Sequence, residues 1–372
     1  MRRFLIGLGV LLVLAAVALR LTLGGGRRME DRTGPPELPG SVLEKVVDLD
    51  YPPGNIAVST GGRVFFTLHP DGNPPANQKI MELKDGKAVP FTPKIMPPLE
   101  TPLALRIRRD WLWALDHGNF GRGQPRIVAW DISQGDALVH QFKFPREIAG
   151  WGSMLNDFQV GPLNENVYIA EASPILQTPA LISYGVRARI ATRFMQGHKS
   201  VMPENYKLNV GGRDMTLLFG LVTMRIGVDS IAFDGHDLFW GPVNGGTLYH
   251  AMASELNFDS GLNDEMFGGL VEEYGPKPNS DGLSADNDGT IYITDPEHSA
   301  ILALGKDLKL RTLVKDERLR WPDGLSWGPD GWLYVTCSAL QHVLFRPASA
   351  VRANAPYQIY RFKPGPVGQP GR

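Results

Sequence analysis

The residues best suited to chemistry in this chain are amides and carboxylates that recur at one position of a repeated segment. Asn55, Asn156-Asp157, Asp229, Asp281 and Asp323 each stand at the start of a short apolar run. Each run continues after a turn into a second one. Oxygen donors of this kind suit a hard divalent cation such as Ca²⁺ or Mg²⁺. They suit a polar small molecule or channel water equally well. A second set, His117, Glu171, Asn244 and Glu297-His298, follows the second run of its repeat. Among these, Glu297, His298 and Glu171 are the candidates for general acid and base work, because a proton shuttle needs groups that titrate near the ligand. Trp151 and Trp321 precede first runs and could wall a pocket, together with His117, Asn244 and Asp323 as ligand-binding candidates. Asp286-Asn287-Asp288-Gly289 imitates part of a calcium loop. Ser284 stands where such a loop requires an acidic first position and Asp295 where it requires a Glu, so it reads as a turn.

The elements that position these residues are strands. RVFFTLH (63–69), WLWALD (111–116), NVYIAE (166–171), DLFWGPV (237–243), TIYITD (290–295) and WLYVTCS (332–338) are six copies of one pattern. A first strand precedes each copy: NIAVS, ALRIR, DFQVG, SIAFD, GLSAD and GLSWG. A third follows each: KIMEL, RIVAW, ALISY, TLYHA, AILAL and HVLFR. LVHQFKF and LRTLVKD supply examples of a fourth. Four antiparallel strands repeated radially predict an all-β, six-bladed β-propeller. The longest insertion falls near 195–225. Either residues 43–49 or 357–362 can supply the last outer strand and remove an open edge. In such a ring the first-strand starts and the second-to-third loops share one end of the channel, and both candidate sets fall there.

Composition limits the alternatives. The chain has 372 residues, 43% of them apolar, and a net charge of -1 without a basic stripe, so nucleic acid is not an expected partner. Glycine (42) and proline (30) are abundant, as many tight turns require. The single cysteine, Cys337, rules out an intrachain disulfide and lies in an apolar strand, where it reads as a small buried residue. No serine elbow, phosphate loop or zinc pattern occurs, so neither a nucleotide nor an organic cofactor is expected. Met1-Arg2-Arg3 and the apolar run from Phe4 to Leu19 form an export signal, read as an uncleaved anchor over residues 1–23 in preference to a cleaved peptide. Residues 24–42 read as a linker and residues 43–372 as the propeller. The basic start places the rest of the chain outside the cytoplasm, periplasmic or secreted, with the membrane as a partner of the N-terminal segment.

Taken together, Leu155-Asn156-Asp157-Phe158 with NVYIAEAS and ALISY, the Gly197–Val201 segment, Gly227 to Ala232 with GGTLYH, Ser280-Asp281-Gly282-Leu283 with IYITDPEHSAI, and Trp321-Pro322-Asp323-Gly324-Leu325 with WLYVT resemble the yellow/major royal jelly proteins in that family's order. The resemblance covers roughly residues 45–345. It implies an exported six-bladed propeller that binds an amphipathic small molecule, such as an amine or sterol, in its channel, and a link to dopachrome conversion. The chain departs from animal members in lacking paired cysteines and in having Asp229-Ser230 where Asp-Gly is usual. A more distant likeness to the gluconolactonase/regucalcin propellers implies a divalent metal held at Asn55, Asn156, Asp229 and Asp281. Asn55 there replaces a Glu, and Asp229 replaces an Asn. Three functions follow as expectations: a small-molecule-binding protein or isomerase of the yellow type, a metal-dependent lactone hydrolase, and a non-catalytic interaction scaffold.

Overall fold

A computed structural model describes residues 2–372. Six four-stranded antiparallel sheets surround one channel. Their innermost strands are Pro53–Val58, Pro102–Arg108, Leu155–Val160, Val228–Phe233, Leu283–Ala285 and Pro322–Trp327. The first five blades run outward in chain order. The sixth is composite: Pro322–Trp327, Leu333–Cys337 and Tyr357–Phe362 are closed on the outside by Glu44–Leu49. Both candidate closing segments are therefore used, one as third strand and one as fourth. The run HVLFR is not the third strand of this blade. Leu340–His342 is a single 3₁₀ turn and Ala348–Ala353 a short helix, so residues 342–346 cap the ring end as a loop.

The apolar alternation read in the strands lies between blades. Each of six buried clusters spans one blade–blade interface; Ala104, Trp113 and Leu115, for example, meet Leu155, Phe158 and Ile169 across the second and third blades. A fully buried Leu or Phe contributes roughly 1.5–3 kcal/mol, so burial at this density can hold a ring without disulfides. Cys337 is fully buried within one of these clusters, and burial raises its thiol pKa.

Residues at both ends of the chain attach to the ring. Residues 24–42, expected to form a linker, are hydrogen-bonded along the propeller. Arg27–Arg28 pairs in parallel with Tyr206–Lys207, Arg32 donates to the carbonyls of Gly246 and Lys277, and the amides of Glu37 and Leu38 bond Thr312 and Leu313. At the far end of the channel the segment to Arg372 lies across the ring. Its backbone bonds Ile107 and Trp327, and the Arg372 guanidinium donates to the Phe233 carbonyl at 2.9 Å. These contacts fall on the far ends of three innermost strands, so the tail plugs the channel there. The helix Arg2–Leu23 projects from the opposite end. Its window Ile6–Leu23 is long and apolar enough to cross a membrane and is not buried in the protein.

Candidate functional site

Where an innermost strand begins, its ladder slips. The register shifts between Pro53 and Ile56, Pro102 and Ala104, Leu155 and Asp157, Val228 and Ser230, and Pro322 and Leu325. A bulge leaves a residue out of the pairing and re-aims its side chain. The residues left over include Asn55, Leu103, Asn156, Asp229 and Asp323, and all five line one cavity of about 640 Å³ at the open end of the channel. Asp281, just before the fifth innermost strand, joins them. Hydroxyls one strand out fix these irregular starts. Thr67 Oγ1 accepts from Asn55 N, Thr294 Oγ1 from Gly282 N and Thr336 Oγ1 from Gly324 N. Thr67 and Thr336 then donate to the carbonyls of Leu103 and Gly54 in the next blade. Close approach at the axis explains Gly282, where a Cβ would lie 1.8 Å from the Asp323 carbonyl oxygen.

The cavity has a polar floor and apolar walls. On the floor, Asn156 Nδ2 donates to Asp229 Oδ1, while Asn156 Oδ1 is buried without a partner. The Trp321 indole donates to Asp281 Oδ2 at 2.5 Å. Burial, then the nearby Asp281 and Asp323 charges, hold the Asp229 carboxyl well above the usual carboxylate range. Burial pushes Asp281 up to about 6 against the Trp321 hydrogen bond, and Asp323 is raised by burial and by Asp281. Three carboxyls in one apolar recess cannot all ionise cheaply, so the site wants a cation or retained protons. Met154, Met224, Ile226, Val243 and Leu340 supply the walls.

Arg106 is the site residue that sequence reasoning missed. Its buried guanidinium donates to Asn55 Oδ1 and to Asp157 Oδ2, each at 2.6 Å. Asn55 Oδ1 therefore already accepts from a protein cation while its side chain lines the cavity. A charged residue in the middle of the apolar run PLALRIR was the available signal. Among the described residues, no group of three or more His, Cys, Asp or Glu side chains is gathered closely enough to hold a metal ion. Asn156, Asp229, Asp281 and Asp323 have the hard-oxygen chemistry of a calcium site, but the three carboxylates are not gathered as such a group.

Trp321 and Asp323 thus line the cavity, as do Asn55, Asn156, Asp229 and Asp281. The other candidates do not. Glu171 pairs with Arg193 at 2.6 Å and accepts from Met154 N and Ser153 Oγ, beside a separate recess of about 150 Å³ that also holds the exposed Trp151. Glu297 accepts from Asn209 N and Asn279 Nδ2. His298 Nδ1 bonds Asp295 at 2.8 Å, which raises its pKa. His117 is buried, caps a short turn through Phe120 N, and is pushed down to about 4 by burial. Asn244 bonds Ile226 N and the Tyr206 carbonyl. These side chains stand one strand further from the axis, where loop amides take up their hydrogen-bonding capacity.

The sequence model of the major royal jelly protein family matches residues 106–346. The chain belongs to that family. No curated protein matches it. Among solved structures, a luciferin-regenerating enzyme is similar at 12% identity and a TM-score of 0.56, over 89% of this chain and 98% of that one. Regucalcin from Agrobacterium tumefaciens, described as calcium-binding, is similar at 14% identity and a TM-score of 0.56, over 90% and 97%. A putative gluconolactonase gives 14% and 0.55, over 93% and 99%. At such identities the likeness is one of fold, a six-bladed propeller.

Proposed function

We propose that this royal jelly family propeller binds an amphipathic small molecule, its apolar body against the cavity walls and an ammonium group on the carboxyl floor. The observation that carries the reading is the floor itself, where Asp229, Asp281 and Asp323 face one apolar recess with raised pKa values. Carboxyls that are near one another but not gathered as an ion cage suit a ligand ammonium, which donates several hydrogen bonds in divergent directions. The unpartnered Asn156 Oδ1 offers a further acceptor. Asp229 and Asp281 also supply what an isomerase would need, a carboxyl that keeps its proton and one that titrates near neutrality. The N-terminal helix supports export or anchoring.

Equilibrium dialysis of the full chain in detergent against labelled dopamine tests this. Saturable one-to-one binding is expected, weakened at least tenfold by Asp229→Asn. Absence of saturable binding, or binding indifferent to that substitution, overturns it. The lactonase reading draws on the calcium-binding and gluconolactonase neighbours and on the hard-oxygen floor. It predicts that Ca²⁺ competes with dopamine and that lactones are opened only when Ca²⁺ is present.

A further inference from the structure

The N-terminal helix and the cavity mouth lie at the same end of the ring. Leu23, the last residue of the helix, lines the cavity. Gly24 is buried against the Leu221 carbonyl, and the Gly25 carbonyl accepts from Thr223 Oγ1 and Arg225 Nη2, each at 2.9 Å. Arg27–Arg28 is then pinned to Tyr206–Lys207. Three residues, Gly24 to Gly26, therefore separate the apolar helix from the ring, and three extended residues reach at most ~10 Å. The helix, 22 residues long, measures about 33 Å at 1.5 Å per residue, enough for the hydrocarbon core of a bilayer. A membrane crossed by this helix holds the cavity mouth at the headgroup layer.

The surface there fits that location. Thr216–Leu217 and Val222–Thr223 form a small hairpin, of which Leu217, Val222 and Thr223 line the cavity. Its tip presents Leu218 and Phe219, and Phe219 is fully exposed. Ile175 and Phe345, which also line the opening, are exposed as well. Apolar side chains at loop tips around a pocket are costly in water. Arginines accompany them. Arg122 and Arg225 line the mouth, and Arg213 and Arg346 stand close enough to lower the His342 pKa, though burial is its main cause. None of these four pairs with a carboxylate among the described residues; Asp71 is the one exposed acid on the opening.

We infer that the channel mouth is a lipid-docking face. The tips around Phe219, Ile175 and Phe345 insert below the headgroups, the arginines meet anionic phosphates, and the cavity opens to the bilayer. Resting on the binding reading above, this makes the ligand a membrane-partitioned amphiphile that reaches the carboxyl floor from the lipid side. The opposite end, plugged by the C-terminal segment, faces water.

The test uses the full chain in vesicles of phosphatidylcholine and phosphatidylglycerol at three to one. Nitroxide labels are placed singly by Phe219→Cys, Ile175→Cys and, at the far end, Asn287→Cys; Cys337 is buried and does not label. Phe219 is free of packing contacts, and circular dichroism checks the fold of each variant. Collision with oxygen and with a water-soluble nickel chelate reports depth. The labels at 219 and 175 are expected in the acyl region, with oxygen favoured at least several-fold, and the label at 287 in water. Equal nickel access at 219 and 287 overturns the inference. A label at 219 shielded from both reagents marks a protein-covered face and overturns it as well. None of these readouts depends on whether dopamine binds, so a failure here is separable from a failure of the binding reading.

Discussion

Replacing Asp281 by asparagine should make the unliganded protein more stable at neutral pH while weakening its site. Burial pushes this carboxyl to about 6 from an ordinary 3.8. The folded state therefore keeps a proton that the unfolded chain has released between those values, and wild-type stability falls as pH rises across that window. Two pH units of difference amount to about 3 kcal/mol above pH 7. Asparagine cannot ionise and still accepts from the Trp321 indole, which bonds Asp281 at 2.5 Å. The variant should gain up to about 3 kcal/mol at pH 7.5 and under about 1 kcal/mol at pH 4. For a ring of this size that is several degrees of melting temperature at pH 7.5. Thermal unfolding of both proteins in one detergent, with a chelator present to keep cations off the floor, measures it. A variant less stable than wild type at pH 7.5, or a gain equal at both pH values, refutes the view that the floor stores electrostatic strain. Dopamine binding should fall at least tenfold in the same variant, since a stabilising change at a site commonly weakens it.

Arg106→Met removes the cation between Asn55 and Asp157 and strands the buried Asp157, so it should cost about 3–5 kcal/mol, read by thermal unfolding. At Gly371 φ is +91° and a Cβ would lie 2.2 Å from the Ile107 carbonyl oxygen; Gly371→Val should release the channel plug at a cost of roughly 1–3 kcal/mol, seen as faster amide exchange in the peptide holding Ile107. His298 is raised by Asp295, so its stabilisation is complete below pH 6.5 and is lost as pH rises through the folded value. His298→Asn should flatten that part of the stability profile and leave dopamine binding unchanged.

The blades were legible because each repeats an apolar strand after a turn, and burial at every blade interface requires that pattern. The cavity floor was legible for a related reason. Asn156, Asp229, Asp281 and Asp323 occupy equivalent places at the inner-strand starts, so symmetry alone carries them to one mouth. Symmetry also misplaced Glu171, Asn244 and Glu297-His298. They share that end of the ring but lie one strand outward, where the amides of Met154, Ile226 and Asn209 engage them. Radius from the axis is not written in strand order. Asn55 was assigned by position, but its Oδ1 already accepts from Arg106 of the neighbouring blade, a contact between residues 51 apart. Residues 342–346 are apolar enough for a strand, yet they cap the mouth: Val343 packs in the core while Leu344 and Phe345 line the opening. The channel plug carries no apolar signal, since it is held by backbone hydrogen bonds of Gly371 and Arg372.

Titration calorimetry of dopamine into the full chain at pH 7.5, in two buffers of different ionisation enthalpy, tests the central claim most directly. An ammonium seated on carboxyls that retain protons must drive protons out. One saturable site is predicted, with a heat that differs between the buffers by the amount that proton release requires, and with weaker binding at pH 5. No saturable heat, or a heat independent of buffer with affinity unchanged at pH 5, would contradict an acidic floor that recognises the cation.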